Sequence, residues 1–424
     1  MERVKYQLNG LNVTLIKTDK FKTTDLVINF KQLLDEKSVT RRALIPHVLK
    51  SATKNYQNKK AINQKLEQLY GASLGISVNK QGLLHILSFR MSIINDKFLL
   101  KNETLLDMAI AFFNEVIFQP LQEGDGFSER VVIEEKRLLK EQFTALYDDK
   151  IRYSYHRLIE EMCKTEKYRI KSIGRVEDLE KITPKNLYDS YQKMLTDDTA
   201  DLLVIGDIDI ERVKGLIEKY FVFDEREVIS KVVDKETKTI REVAEIIEVK
   251  EISQAKLNLG FRTNVTGVDD DYYALLLMNA LLGVYPSSLL FKNVREKASL
   301  CYYIASNIDK GKGLLIIYAG INHNDYQKAY DIIIEQIAKL QKGEFTEALI
   351  EMTRKALIND ILQISDNPIA FLSTEYSHLL YQDAFDVKNE IERINQVTKE
   401  DISNVAKKLQ EDTIFLLTNE EVSK

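Results

Sequence analysis

Cysteine and histidine are both scarce in these 424 residues, with two of the first and five of the second. Cys163 and Cys301 cannot build a disulfide framework or a thiolate zinc cage, and each reads as a small hydrophobe. Among His47, His85, His156, His323 and His378 no pair is separated by three or four residues, the spacing at which one helix face holds a metal ion. His85 reads as a satisfied strand residue, His156 and His378 as helix-face residues. Charge of one sign is also lacking: 60 Lys and Arg stand against 65 Asp and Glu, net charge -5, with no basic block. That excludes a nucleic-acid surface. The most apolar run, Tyr272 to Val284, is too short to span a bilayer and carries Asn279. Met1-Glu2-Arg3-Val4-Lys5-Tyr6 lacks the apolar core of a signal peptide, so the expected location is cytoplasmic, with no membrane partner. Gly-x-Gly-x-x-Gly, Gly-x-x-x-x-Gly-Lys-Ser/Thr and Gly-x-Ser-x-Gly are all absent, which leaves nucleotide binding and serine hydrolysis without support.

What is there is a series of short strands and amphipathic helices, grouped in runs without strict alternation. Val4 to Lys17 reads as a hairpin around Asn9-Gly10, Asp25 to Lys31 as a strand, and Ser73 to Lys80 with Leu83 to Met91 as a strand pair. Helices are expected over Ala43 to Ala52, Lys60 to Leu69, Leu99 to Phe118, Ser128 to Leu146 with Ser128 as its cap, and Lys150 to Met162. A helical pair split at Thr183-Pro184, a buried strand at Leu202 to Ile205 and a helix over Ile210 to Phe221 complete this part. Pairs such as Glu134-Glu135 and Asp269-Asp270-Asp271 read as solvated or capping residues.

The chain is too long for one ordinary core. Residues 224–243 turn polar and read as a linker between halves at 1–223 and 244–424. The second half repeats the first. Asp366-Asn367-Pro368-Ile369 echoes Asp148-Asp149-Lys150-Ile151, and Ile394 to Ile402 echoes Leu179 to Leu187, each pair of landmarks nearly the same distance apart. Runs of strands followed by runs of helices favour an α+β fold: two tandem homologous halves, each a mostly antiparallel sheet covered by helices.

Ser287 to Lys297 reads as a short amphipathic helix with Leu289, Leu290, Phe291 and Val294 on its apolar side, followed by a strand from near Leu300. Arg295 and Tyr302 lie seven residues apart across that turn. Two readings fit the spacing. Arg295 complements a helix end and Tyr302 is core, or the two converge on a peptide carbonyl or a developing oxyanion.

This stretch resembles the Ser-Arg-Leu-Phe…Leu-Arg-Glu-Lys-x-Gly-Leu-x-Tyr signature in the second half of insulinase/pitrilysin-type zinc metallopeptidases, with Leu289 in place of the first Arg and Ser299 in place of the Gly. The resemblance implies two tandem α/β halves and an Arg/Tyr pair that assists substrate binding. It also implies where zinc should sit. Active members carry His-x-x-Glu-His on an early helix, two ligands flanking a general base. The matching residues here are Ala43, Pro46 and His47, so only the second His remains. The third ligand, a Glu on a later helix, falls at Gln142, beside Glu141. A lone imidazole and a neutral amide make no zinc site. Pro46 is expected to start or kink its helix.

In heterodimeric members of the family one chain holds zinc and a degenerate one assists, the two closing as a clamshell over an unfolded peptide. The expectation is therefore a non-catalytic subunit with no cofactor of its own and no catalytic residue acting alone. Zinc would belong to a homologous partner, to which Arg295 and Tyr302 are lent. Activity would require that partner, and the isolated chain could pair with itself. Peptide substrates in such enzymes extend a sheet edge, and Tyr70 to Ser77 occupies the corresponding region without the family's Asn-Ala. The alternative is a structural or peptide-binding scaffold of the same family with no proteolytic role.

Overall fold

The computed structural model describes residues 1–99, 104–226, 239–381 and 384–419. Along the first part run β1 (Glu2–Leu8), β2 (Leu11–Lys17), β3 (Thr23–Leu33), α1 (Val39–Ser51), α2 (Lys59–Gln68), β4 (Ser73–Gln81), β5 (Leu84–Ile94) and α3 (Leu105–Phe118). A two-residue hairpin, β6 (Gln122–Glu123) and β7 (Gly126–Phe127), leads into α4 (Glu129–Asp148), α5 (Lys150–Met162), α6 (Pro184–Asp197), β8 (Thr199–Gly206) and α7 (Ile210–Tyr220). Then come β9 (Ala244–Val249), β10 (Ala255–Arg262), α8 (Tyr272–Asn279), β11 (Cys301–Asp309), β12 (Leu314–Ile321), α9 (Tyr326–Lys342) and α10 (Glu347–Ile364). The chain closes with α11 (Pro368–Tyr381), α12 (Val387–Gln396), α13 (Lys399–Ala406) and β13 (Gln410–Thr418).

The chain forms two compact units. One comprises Met1–Thr144, Ile170–Lys231 and Asp366–Ser377, the other Ala145–Arg169, Val232–Ser365 and His378–Lys424. Neither is a contiguous half of the sequence. The two segments that change places, 145–169 and 366–377, carry the matched landmarks at Asp148 and Asp366.

The first unit is built on a six-stranded sheet in the order β1-β2-β8-β3-β5-β4. Only β2 and β8 run parallel; the remaining neighbours are antiparallel. The β1–β2 turn works because Asn9 and Gly10 adopt φ of 38° and 76°, a left-handed pair that a two-residue hairpin requires. Leu26, Ile28, Phe30, Leu87, Phe89 and Met91 project from one face of the sheet into a core shared with α1, α3 and α6. Helix α1 packs on β4, β5 and α6. Thr183 opens α6 with a full capping box to Asn186, and Pro184 stands in the first turn where its missing N–H costs nothing. Residues 366–377 are tied in by buried polar contacts. The Tyr376 hydroxyl donates to Asp201 at 3.1 Å, and Lys31 reaches the same carboxylate at 2.7 Å.

The second unit repeats the arrangement with five strands in the order β11-β12-β10-β13-β9. Strands β9 and β13 are parallel and the other pairs antiparallel. Matched strand for strand, this is the β4-β5-β3-β8-β2 portion of the first sheet. Helix α5 lies on β10 and β13, close enough that a Cβ on Gly260 would sit 2.7 Å from the Met162 sulfur. Helix α13 packs on α8 and α9, and α12 on α10. No helix among the described residues is long and apolar enough to cross a membrane.

Most expected elements are found within a few residues of their ends, and the differences have physical causes. Helix α1 begins at Val39, so Pro46 lies inside it and does not start it. There the ring removes the bond to the Arg42 carbonyl. Ser128 does not cap α4 through its side chain. Its hydroxyl donates to Glu123 at 2.7 Å, and the other Glu123 oxygen accepts the Glu129 N–H at 3.2 Å, so a residue from the hairpin caps the helix. The expected helix from Leu99 starts at Leu105, and residues 100–103 of that expectation lie outside the described residues, as does most of the expected linker. Glu135 is not solvated: it is 3 % exposed.

Candidate functional site

Two places in the chain bear on chemistry, one in each unit. In the first unit, α1 and α4 carry the residues that the resemblance matched to the family's metal site, and three of them line one pocket of about 210 Å³. Ala43 and His47 reach it from α1, Leu139 and Gln142 from α4, Ile76 to Val78 from the edge strand β4, and Ile173 closes it. Ala43 and His47 are one turn apart on a helix, and α4 presents Leu139 and Gln142 three residues apart, so helical spacing sets each pair on one face and the pocket lies between the two faces.

The donor set does not suit a metal. Ala43 has no ligating atom, Pro46 is buried in the helix with no acid to offer, and Gln142 supplies a neutral amide. His47 makes no hydrogen bond to a described residue, and burial pushes its pKa below the ordinary value, with the Glu135 charge pulling the other way. A neutral imidazole could ligate, but it is alone. Among the described residues no group of three His, Cys, Asp or Glu side chains converges anywhere.

Sequence reasoning passed over Glu135, which lies beside this pocket. It accepts the Ser51 hydroxyl at 2.7 Å and pairs with Lys59 at 2.7 Å, and Lys59 also reaches Glu134 at 2.9 Å. The carboxylate therefore joins α1, α2 and α4, which holds the pocket's walls together without metal. The signal was available: Glu135 falls on the stripe of Val131, Val132 and Leu139 that α4 buries.

His85 is equally committed. Its Nδ1 accepts from Arg42 Nε at 3.2 Å and its Nε2 donates to the Ser172 carbonyl at 2.8 Å, so the tautomer is fixed. Burial and the adjacent guanidinium hold its pKa down to about 3. Arg42 also pairs with Asp198 at 2.6 Å, and burial raises that carboxyl to about 6. His378, likewise held to about 3 by burial, is neutral beside Glu390. Neither histidine is placed for catalysis.

The second place is the segment around Arg295 and Tyr302 in the second unit. The expected short helix is present, but from Phe291 to Lys297 it is wound as a π-helix, with the Ala298 N–H bonding the Asn293 carbonyl at 3.2 Å. Leu290 and Val294 are fully buried, and Asn293 donates to Gln336 at 2.9 Å, anchoring the turn. Ser299 then takes φ of 55°, the left-handed conformation that glycine adopts freely, at the position where the family signature has Gly. The Leu300 N–H closes on the Val294 carbonyl at 3.1 Å and β11 begins.

Arg295 is exposed and lies over the Phe291 ring, 4.5 Å from its centroid. Tyr302 is 75 % exposed and is not core. Neither forms a hydrogen bond or ion pair with a described residue. The Arg295 charge is felt at Cys301, where it opposes the burial that pushes the thiol up to about 11, so the guanidinium stands near the residue next to Tyr302.

Comparison with known proteins agrees with a peptidase-like chain. A family model described as the peptidase M16 inactive domain matches residues 181–357. The chain is 37 % identical over 421 residues to a probable inactive metalloprotease, YmfF, of Bacillus subtilis, covering 99 % of each. A crystal structure of a conserved protein from Enterococcus faecalis superposes with a TM-score of 0.93 at 32 % identity over 100 % of both chains. An uncharacterized zinc protease of Bacillus subtilis, YmfH, is 26 % identical over 295 residues, 66 % of each chain. The chain belongs to the M16, insulinase/pitrilysin-type, metallopeptidase family, as a member whose metal-binding positions are degenerate.

Proposed function

We propose that this chain is the non-catalytic subunit of a two-chain cytoplasmic zinc peptidase acting on unfolded polypeptides, and that it lends Arg295 and Tyr302 to the metal centre of a homologous partner. The observation that carries the reading is the exposure of both side chains, with their donors unspent on the chain's own residues. A buried pair would serve packing; an exposed pair, held by a packed turn and an aromatic stack, is suited to a target outside the chain.

In this role the Arg295 guanidinium and the Tyr302 phenol donate to the carbonyl oxygen of the scissile peptide, orienting it and stabilising the charge that develops there. Zinc, held by the partner, would supply the activated water. The two chains would close as a clamshell, and the isolated chain could pair with itself through the same surface. Bacillus subtilis holds both a probable inactive relative and an uncharacterized zinc protease similar to this chain, which is the combination a two-chain enzyme needs.

The test is turnover of an unfolded peptide by this chain mixed with its zinc-binding homologue. Arg295→Ala and Tyr302→Phe should each lower kcat/KM by at least roughly tenfold, about 1.4 kcal/mol of transition-state stabilisation, with subunit association unchanged. Full activity of the double variant would leave the chain a scaffold.

A further inference from the structure

A second pocket in the first unit, about 100 Å³, lies on the sheet and shares no lining residue with the first. Its floor is set by register. Asp25 on β3, Ser92 on β5 and Ser73 on β4 stand side by side in one row, and Val27, Arg90 and Gly75 form the next row on the same face. Ile369 lines the other side.

The two charged groups in this pocket do not pair. Asp25 is 2 % exposed; its Oδ2 accepts the Thr23 hydroxyl at 2.6 Å, while Oδ1 is buried with no hydrogen-bond partner. Burial raises its carboxyl pKa, with the Thr23 and Ser92 hydroxyls working against that. Arg90, half-buried, makes no ion pair or hydrogen bond with a described residue. As diagonal neighbours on adjacent strands the two are near enough for long side chains to meet. Instead the Arg90 stem lies beside Gly75, where an added Cβ would find only Arg90, at 3.8 Å.

A buried carboxylate oxygen without a donor is unfavourable, and a half-buried guanidinium without an acceptor adds to the cost. A molecule bearing an ammonium and a carboxylate a few ångströms apart removes both costs at once. At about 30 Å³ per water the space holds about three waters, which suits only the smallest α-amino acids. We propose that this pocket binds a small free α-amino acid as its zwitterion, the ammonium on Asp25 Oδ1 with help from the Ser73 or Ser92 hydroxyl, and the carboxylate on Arg90. The site is separate from Arg295 and Tyr302 and does not depend on the peptidase role.

The test is calorimetric titration of the full chain with glycine and L-alanine, alongside N-acetylglycine, which lacks the ammonium, and glycine methyl ester, which lacks the carboxylate. The expected result is binding of glycine and alanine in the millimolar range, and at least tenfold weaker binding of both blocked compounds. Asp25→Asn and Arg90→Gln should each weaken glycine at least tenfold, and Gly75→Val, which fills the space, should abolish binding. If a variant fails to fold, the blocked compounds decide on the unaltered chain. No heat of binding with glycine or alanine up to about 20 mM, a free energy of only about 2 kcal/mol, would overturn the assignment. So would equal binding of the blocked compounds.

Discussion

The Arg295 guanidinium rests on the Phe291 ring, 4.5 Å from the centroid, one turn back along the π-wound helix. A stack of this kind contributes about 0.5–1 kcal/mol at an exposed site, and here it limits the directions a long, mobile side chain can take. Phe291→Ala should therefore lower kcat/KM of the two-chain enzyme by about two- to fivefold, less than removal of Arg295 itself. Steady-state kinetics of both variants against the same zinc-binding partner checks the order; an effect of Phe291→Ala as large as Arg295→Ala would mean the ring acts for itself.

Ser299 is exposed and adopts a left-handed backbone with φ of 55°. Such a conformation strains a residue with a Cβ by about 1–2 kcal/mol, part of which glycine returns as extra unfolded-state entropy. Ser299→Gly should stabilise the second unit by about 0.5–1 kcal/mol, read as a rise in its urea midpoint at constant slope. A lower midpoint would show that the Ser side chain contributes something the backbone strain does not outweigh.

Ala43, His47 and Gln142 line one pocket, which makes restoration of the family's donors a direct test. Ala43→His, Pro46→Glu and Gln142→Glu, combined with resident His47, should yield a chain that retains about one zinc per molecule through gel filtration. Removing the proline should also return the hydrogen bond to the Arg42 carbonyl and steady α1. The triple variant should bind and the unaltered chain should not; zinc content is read by elemental analysis.

Acid should act on the first unit through two groups of opposite sign. His85, held to about 3 when folded against an ordinary 6.5, stays neutral while the unfolded imidazole takes a proton, so its stabilisation is lost as pH falls below 6.5. Asp198, raised to about 6, takes its proton in the folded state first, so stability is gained as pH falls from 6 towards 3.8. At pH 4.5 the two are of similar size, about 2–3 kcal/mol each, and nearly cancel. His85→Gln should remove only the first. The urea midpoint of the variant should rise between pH 6.5 and 4.5, while that of the unaltered chain moves little.

The strands and their hairpins were legible because apolar alternation and turn chemistry are local. Asn9-Gly10 and the Thr183-Pro184 cap specify their structures within four residues. The duplication was legible from landmarks at Asp148 and Asp366, but the exchange of 145–169 and 366–377 between units was not. Contact with one sheet or another leaves no trace in the periodicity of a helix. The π winding of residues 291–297 was likewise hidden, since Leu290 and Val294 satisfy an ordinary helical stripe. At the metal positions, Ala43, Pro46, His47 and Gln142 were found by motif, and the structure lines one pocket with three of them. Glu135 was missed because an acidic pair on a charged helix reads as solvated until Ser51 and Lys59 are seen to hold one member of it.

The proposed role requires that the chain carry no hydrolytic metal of its own and work through a partner. The most direct measurement is peptide turnover together with zinc content for three purified samples: this chain, its zinc-binding homologue, and an equimolar mixture, each with and without a chelator. The prediction is less than about one zinc per ten molecules and no turnover in the first, and chelator-sensitive turnover in the mixture at least roughly tenfold above the homologue alone. Stoichiometric zinc with turnover in this chain by itself would contradict it.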